Sequence, residues 1–471
     1  MMHKTLLARL LKRYSFLLFI LLVSQTAFSI NHFENNYREY PQPKTGRLPV
    51  VIIPGLTGSE LVNEKTGEQV WFSFGRAKGD DLRLPVSPDF KANRDDLVSR
   101  DILRSVKVSR LLPKIRIYRS IIDSLKKDGF SEGNIDEPTE NGFEDTVYVF
   151  PYDWRRDNVE NAHLLLQKLD KIRRKAKRPE LRFNVVAHSM GGLLVRYAAM
   201  YGTADLTENM ESSSWSGAEY FNNISLIGTP NGGTHLILET MIKGMSLTRG
   251  WNVNLPFVRD LSKFDAFTFP SLYQLLPHKG ITRILDENLK ELEVDIYSPE
   301  TWEKYGWLAY ADKEYESAFS PEEVSLSREY FQAVLGRAEL FQSALNSNPI
   351  PAPSIRFYNF GADCKETMDG VVVYKSRKDD KWKTIYDASS FKKYNGTSVS
   401  KKSVKEAIFR PGDSQVTKAS LDHGLESTES ADSKEKPFTD VCGNHILLIR
   451  NDDVRKSIVR LFNLPANEPV G

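Results

Sequence analysis

Ser189 sits between Ala187 and Gly191, at the junction of an apolar run from Phe183 to Ala187 and a breaker-free stretch that continues from Gly192 to Tyr197. This is the spacing of a nucleophile elbow, a serine on a strained strand-to-helix turn flanked by residues small enough for strand and helix to approach closely. Alanine here replaces the first of the usual glycines. Such a serine would attack a carbonyl, and it needs a base to take its proton and an acid to orient that base. In elbow folds both follow the serine, acid first, which confines the search to residues beyond 354.

Two histidines lie there, His423 and His445. His445 stands between a polar loop and the last helical stretch, where a side chain would be carried back to the sheet edge, whereas His423 opens a charged loop. Three aspartates compete for the acid role: Asp413, Asp369 and Asp363. Gly412 permits a tight turn before Asp413, and Val416 suggests the end of a strand; Asp369 has a similar setting. An aspartate that only bonds its own turn would look the same. The oxyanion of acyl transfer needs preorganised amides, expected from Met190 and from Leu56 or Thr57 in the glycine-rich loop Gly55 to Ser59.

These residues imply a scaffold. Pro49 to Pro54 reads as a buried strand leading into the Gly55 loop, Val106 to Leu125 as a helix, and Thr146 to Phe150 as a strand entering Pro151 to Asp157. Ala162, Leu165, Leu166, Leu169 and Ile172 mark an amphipathic helix before the elbow strand. Ile224 to Ile227 is a further strand, ending in the loop Gly228 to Thr234. Strand alternating with helix predicts an α/β fold, a mostly parallel sheet with helices on both faces. Residues 235–353 lose that rhythm and read as a helical, aromatic-bearing cap. The core resumes at Ser354 to Phe360, followed by Val371 to Tyr374, a basic loop from Lys392 to Lys405, the Asp413 segment, a polar loop from Glu426 to Lys436, and a closing helix through Val454, Ile458 and Leu461. The expected parts are therefore 30–234 and 354–471 as core and 235–353 as cap or lid.

Residues 1–29 read as a signal peptide: Lys4, Arg9, Lys12 and Arg13 precede the apolar run Phe16 to Val23, and Ala27, Phe28 and Ser29 offer a cleavage site. That run is shorter than the ~20 residues of a membrane span. Its removal would move the net charge from +2 to −2, a balance with no pull towards nucleic acid. With 40% apolar and 27% charged residues, the 471-residue chain has a soluble globular composition. Export would place its two cysteines, Cys364 and Cys442, in an oxidising compartment, which favours a disulfide. Asn395 and Asn223 head glycosylation sequons, the second on a strand expected to be buried.

The segments Pro54 to Ser59, Pro151 to Arg155, Ala187 to Gly192 and Gly228 to Gly233, with the late Asp and His, resemble the lecithin:cholesterol acyltransferase family of α/β-hydrolases. Pro270-Ser271-Leu272 and Leu275-Leu276-Pro277 are similar to the family's cap. The resemblance runs from about residue 48 to 463 and implies Ser189 as nucleophile, Asp413 as acid, His445 as base, and an oxyanion hole at Leu56 or Thr57 with Met190. It implies long-chain acyl esters, commonly phospholipids, as substrates, with transfer to water or another alcohol and no metal or organic cofactor. Gly412-Asp413-Ser414 departs from the family's Gly-Asp-Gly or Gly-Asp-Asp, which keeps Asp369 open. The expected protein is an exported or periplasmic serine esterase or O-acyltransferase working on lipid at a membrane or lipid surface, with no partner protein evident. The alternative is a catalytically inactive lipid-binding protein on the same fold.

Overall fold

Val50–Ile53 and Phe183–His188 are buried at every position, as strands covered on both faces must be. They are β1 and β4 of a seven-stranded sheet completed by β2 (Ser131–Glu132), β3 (Thr146–Val149), β5 (Phe221–Ile227), β6 (Arg356–Gly361) and β7 (Phe438–Asp440). The order is β7-β6-β5-β4-β1-β3-β2, and every pairing is parallel. Ile53 is in register with Ala187, and Ile227 with His188. The carboxyl ends of β1, β4 and β5 therefore align, bringing the Gly55 loop, Ser189 and the Gly228 loop to one edge. The computed structural model describes residues 46–73, 82–106, 115–208, 213–245, 260–347, 355–425 and 438–464. The signal-like segment 1–29, the 353/354 boundary and the loop from Glu426 to Lys436 lie outside these.

Helices α1 (Arg119–Lys127), α2 (Asn158–Ala176), α3 (Met190–Tyr201), α4 (Pro321–Asn346) and α5 (Asp452–Phe462) follow local rules. Asp157 caps α2 by accepting the amides of Val159 and Glu160, Ser320 and Glu323 form a capping box on α4, and Asn451 caps α5. The expected apolar stripe of α2 is buried, and so is every residue of α3. With the parallel sheet and its strand-to-helix elbow, these elements form an α/β-hydrolase fold.

Three details differ from the sequence reading. Of the helix expected from Val106 to Leu125, the described residues show the part within Arg119–Lys127, and residues 107–114 lie outside those described. Ser105–Val106 pairs with Ile115–Arg116 instead, and the amides of Ile117 and Arg119 both donate to the Arg104 carbonyl, so the helical spacing of Ile117 with Ile121 concealed a turn. Val371–Lys375 stays out of the central sheet. It pairs antiparallel with Trp382–Ile385 and parallel with Ile284–Leu285, a strand supplied by the proposed cap segment; an apolar run reveals a strand but not the sheet it joins. Finally, the described aromatic residues of 235–353 pack largely on one another: the Phe267 ring centroid lies 5.5 Å from that of Tyr315 and 5.4 Å from that of Tyr330. They are consumed by the protein's own core.

Cys364 and Cys442 form a disulfide with Cα atoms 5.5 Å apart. Asn223 is buried and Asn395 exposed.

Candidate active site

Ser189 adopts φ 54° and ψ −126° between β4 and α3, a conformation sparsely populated by any residue but glycine. Tight packing enforces it. A Cβ on Gly191 would stand 2.5 Å from the Pro54 carbonyl oxygen, and one on Gly192 would collide with the Thr229 side chain. The alanine at 187 is accommodated with its methyl fully buried.

The Ser189 hydroxyl donates to His445 Nε2 at 2.9 Å, and His445 Nδ1 donates to Asp413 Oδ2 at 2.7 Å. Asp413 is fully buried and His445 nearly so. The two Asp413 oxygens divide the work: Oδ1 accepts the amides of Gln415 and Val416 at 3.0 and 2.8 Å, leaving Oδ2 for the imidazole. This aspartate therefore bonds its own turn and the His445 ring at the same time. The backbone repeats the connection, since the His445 amide donates to the Asp413 carbonyl at 2.8 Å. Gly412 makes the turn possible, because a Cβ there would strike the Val416 carbonyl.

The competing candidates lie elsewhere. Asp369 is held by Arg283 Nη1 at 2.6 Å, with Arg410 at 4.0 Å; burial pushes its pKa up, opposed chiefly by Arg283. The His423 ring stacks at a tilt on His278, centroids 5.0 Å apart. Asp363 is exposed.

The Gly55 loop presses on the nucleophile, for a Cβ at Gly55 would lie 2.7 Å from Ser189 Cβ. Gly58 closes the turn by donating to the Gly55 carbonyl at 3.0 Å, Thr57 takes φ 61°, and Trp71 Nε1 holds the Thr57 carbonyl at 2.9 Å. Among the described residues the amides of Leu56 and Thr57 meet no acceptor. Met190, first residue of α3, has no intrahelical acceptor by position. The candidate oxyanion donors, Met190 and either Leu56 or Thr57, thus lie next to Ser189 in the chain and in the Gly55 loop packed against it.

Three contributors escape a reading of the sequence. Gly228 has φ 60°, and a Cβ there would stand 3.1 Å from His445 Nδ1 and 3.2 Å from Asp413 Oδ2. Tyr118 Oη accepts the Gly55 amide at 2.9 Å and donates to His188 Nδ1 at 2.9 Å, so His188 Nε2 donates to the His445 carbonyl at 3.2 Å. Burial, then the neighbouring His445, lowers the His188 pKa to about 3 and keeps it neutral. The strand position of His188 beside Ser189 was the one available signal; nothing marked Tyr118. Among the described residues no group of His, Cys, Asp and Glu could hold a metal ion, and no helix is long and apolar enough to cross a membrane.

A family model described as lecithin:cholesterol acyltransferase matches residues 83–331, more than half of the chain. The chain is 29% identical over 259 residues to lecithin-cholesterol acyltransferase-like 4 of Arabidopsis thaliana, a match taking in 51% of this chain and 44% of that protein. It therefore spans less than half the length of this curated relative. Among solved structures, the Tle4-Tli4 complex is similar at a TM-score of 0.53 and 13% identity, over 89% of this chain and 98% of its counterpart. A Bacillus licheniformis lipase, BlEst2 in its propeptide form, is similar at a TM-score of 0.35 and 11% identity over 92% of this chain and 54% of the other.

Proposed function

The chain belongs to the lecithin:cholesterol acyltransferase family, and on that premise we propose that it is an exported serine acyl-ester hydrolase or O-acyltransferase that cleaves lipid esters through an acyl-serine intermediate. The observation that carries this reading is the unbroken chain from Ser189 Oγ through His445 to Asp413 Oδ2, at 2.9 and 2.7 Å.

Ser189 Oγ attacks the acyl carbonyl carbon while His445 Nε2 takes the hydroxyl proton, and Asp413 stabilises the imidazolium so formed. The carbonyl oxygen, now negative, receives the amides of Met190 and of Leu56 or Thr57. As the carbon–oxygen bond to the leaving alcohol breaks, His445 returns its proton to that alcohol, leaving acyl-Ser189. Water or a second alcohol, deprotonated by His445, then attacks the acyl carbon, and Ser189 recovers its proton. The Cys364–Cys442 disulfide supports export to an oxidising compartment.

A fluorophosphonate probe tests the reading. The chain should be labelled and should release fatty acid from a long-chain phospholipid, and Ser189→Ala should lose both. An unlabelled, inactive wild-type chain would instead mark a lipid-binding protein on the same fold. Product analysis with and without a sterol or glycerol acceptor decides between hydrolysis and transfer.

A further inference from the structure

Residues 371–408 form a lobe with a charge unlike the rest of the molecule. They hold ten Lys and Arg against four Asp and Glu, a net +6 in a chain whose total is +2. The lobe is built from the hairpin Val371–Lys375 and Trp382–Ile385, the two-residue hairpin Phe391–Lys392 and Ser398–Val399, and the helix Lys401–Ile408. A small core of its own, with Val372, Ile385, Phe391, Val399, Val404 and Ile408, holds it together. The two hairpin tips touch: the Tyr394 hydroxyl donates to Asp380 Oδ1 at 3.2 Å, and a Cβ on Gly396 would lie 3.7 Å from Arg377 Nη1.

Some of the charge is matched locally. Lys375 pairs with Asp380, Lys383 with Asp379, Lys402 with Glu406 and Lys405 with Glu366. Arg377, Lys378, Lys381, Lys392 and Lys401 are exposed and have no acidic partner among the described residues. Nor does the fold use this charge for its own stability. Lys401 and Lys402 open a helix with no acid in its first turn, where the helix dipole favours anions. Local rules broken in one direction, without compensation among the described residues, point to a partner.

We infer that this lobe is a docking surface for an anionic lipid bilayer, which deepens the proposed function and rests on its lipid substrate. A layer of lipid headgroups is an extended anionic surface, complementary to long cationic side chains spread over two hairpin tips and a helix start. Tyr394, 49% exposed among them, has the amphipathic ring that settles at a headgroup interface. The lobe is also well rooted for the purpose. Its base is the antiparallel pair Lys365–Met368 with Phe409–Gly412, and the residue after Gly412 is Asp413. Docking there holds the lipid phase against the segment that carries the triad acid.

The test is co-sedimentation of the full chain, in its Ser189→Ala form so that lipid is not consumed, with neutral phosphatidylcholine vesicles and with vesicles containing about 30% phosphatidylglycerol. Binding should be at least about tenfold tighter to the anionic vesicles and should weaken between about 50 and 500 mM salt. The charge-reversed set Arg377→Glu, Lys378→Glu, Lys381→Glu and Lys392→Glu should lose this preference while unfolding at the parental temperature, and replacing the three lysines with arginine should keep it. Equal binding to both vesicles, or undiminished preference in the charge-reversed protein, overturns the inference. So does a charge-reversed protein that keeps its vesicle preference but no longer binds heparin, which assigns the patch to a soluble polyanion. Because vesicle binding is read without catalysis, failure of fluorophosphonate labelling would remove the proposed reaction and leave this result standing.

Discussion

The Tyr118 hydroxyl stands 2.9 Å from His188 Nδ1 while accepting the Gly55 amide at 2.9 Å, and His188 in turn reaches the His445 carbonyl. One buried phenol thus ties the Gly55 loop, proposed to supply oxyanion amides, through His188 to the segment carrying His445, the proposed base. Tyr118→Phe keeps the ring and removes both bonds. It should cost about 1–3 kcal/mol of stability and about tenfold in kcat, with KM within about twofold, because a small shift of preorganised donors affects the transition state more than binding. Steady-state kinetics on a soluble ester beside urea unfolding measures the split, and an unchanged kcat would remove the positioning role.

Exchanging the rival acids separates them sharply. Asp413→Asn should leave the turn bonds at Oδ1 but put a donor where His445 Nδ1 now donates, forcing the wrong tautomer and lowering kcat by about 10³–10⁴-fold. Asp369→Asn gives up its ion pair with Arg283 and should leave kcat within about threefold, with about 1 kcal/mol of stability lost. If the asparagine at 369 proved the inactivating one, the acid assignment would fall.

Local spacing carried the elbow: small residues at 187, 191 and 192 are legible because strand, turn and helix are contiguous. Chain order then limited the acid and base to a few residues, and the glycine before Asp413 hinted at the turn that aims it. Asp369 stayed open beside the favoured Asp413 because both follow turn chemistry; what separates them is Arg283, 86 residues from Asp369, and His445, 32 residues from Asp413. Tyr118 was invisible for the same reason, since its contact with His188 spans 70 residues. The aromatic residues of 235–353 were legible as apolar, but their mutual packing was not, because composition does not distinguish a packed interior from a lined groove.

Acid should weaken the fold through two histidines. Burial lowers the pKa of His188 and of His235 to about 3, with His445 and Arg283 the respective second causes. Each is neutral when folded and takes a proton near pH 6.5 when unfolded, so its contribution is complete above about 6.5 and is lost as pH falls towards 3. His235 Nε2 accepts the Arg283 amide at 3.0 Å. His235→Gln should therefore be less stable at pH 7 yet shed about 1.4 kcal/mol less per pH unit below 6 than the parent. Urea titrations at pH 7, 5.5 and 4.5 compare the two slopes, and parallel slopes would exclude His235 as a source.

The disulfide acts on both the fold and the site. It closes a sequence separation of 78 residues between the end of β6 and a cysteine three positions before His445. The chain-entropy argument gives about 4.5 kcal/mol for a loop of this length. Replacing Cys364 and Cys442 together by serine should lower unfolding free energy by that order. The loss should be felt at the proposed triad too, because Cys442 lies three positions before His445, whose backbone is tied to Asp413 and His188. Fluorophosphonate labelling at a temperature well below the midpoint should slow about two- to tenfold in the double variant, with the protein still folded by circular dichroism. Labelling at the parental rate, alongside the expected fall in stability, would confine the bond to holding β6 and β7 together.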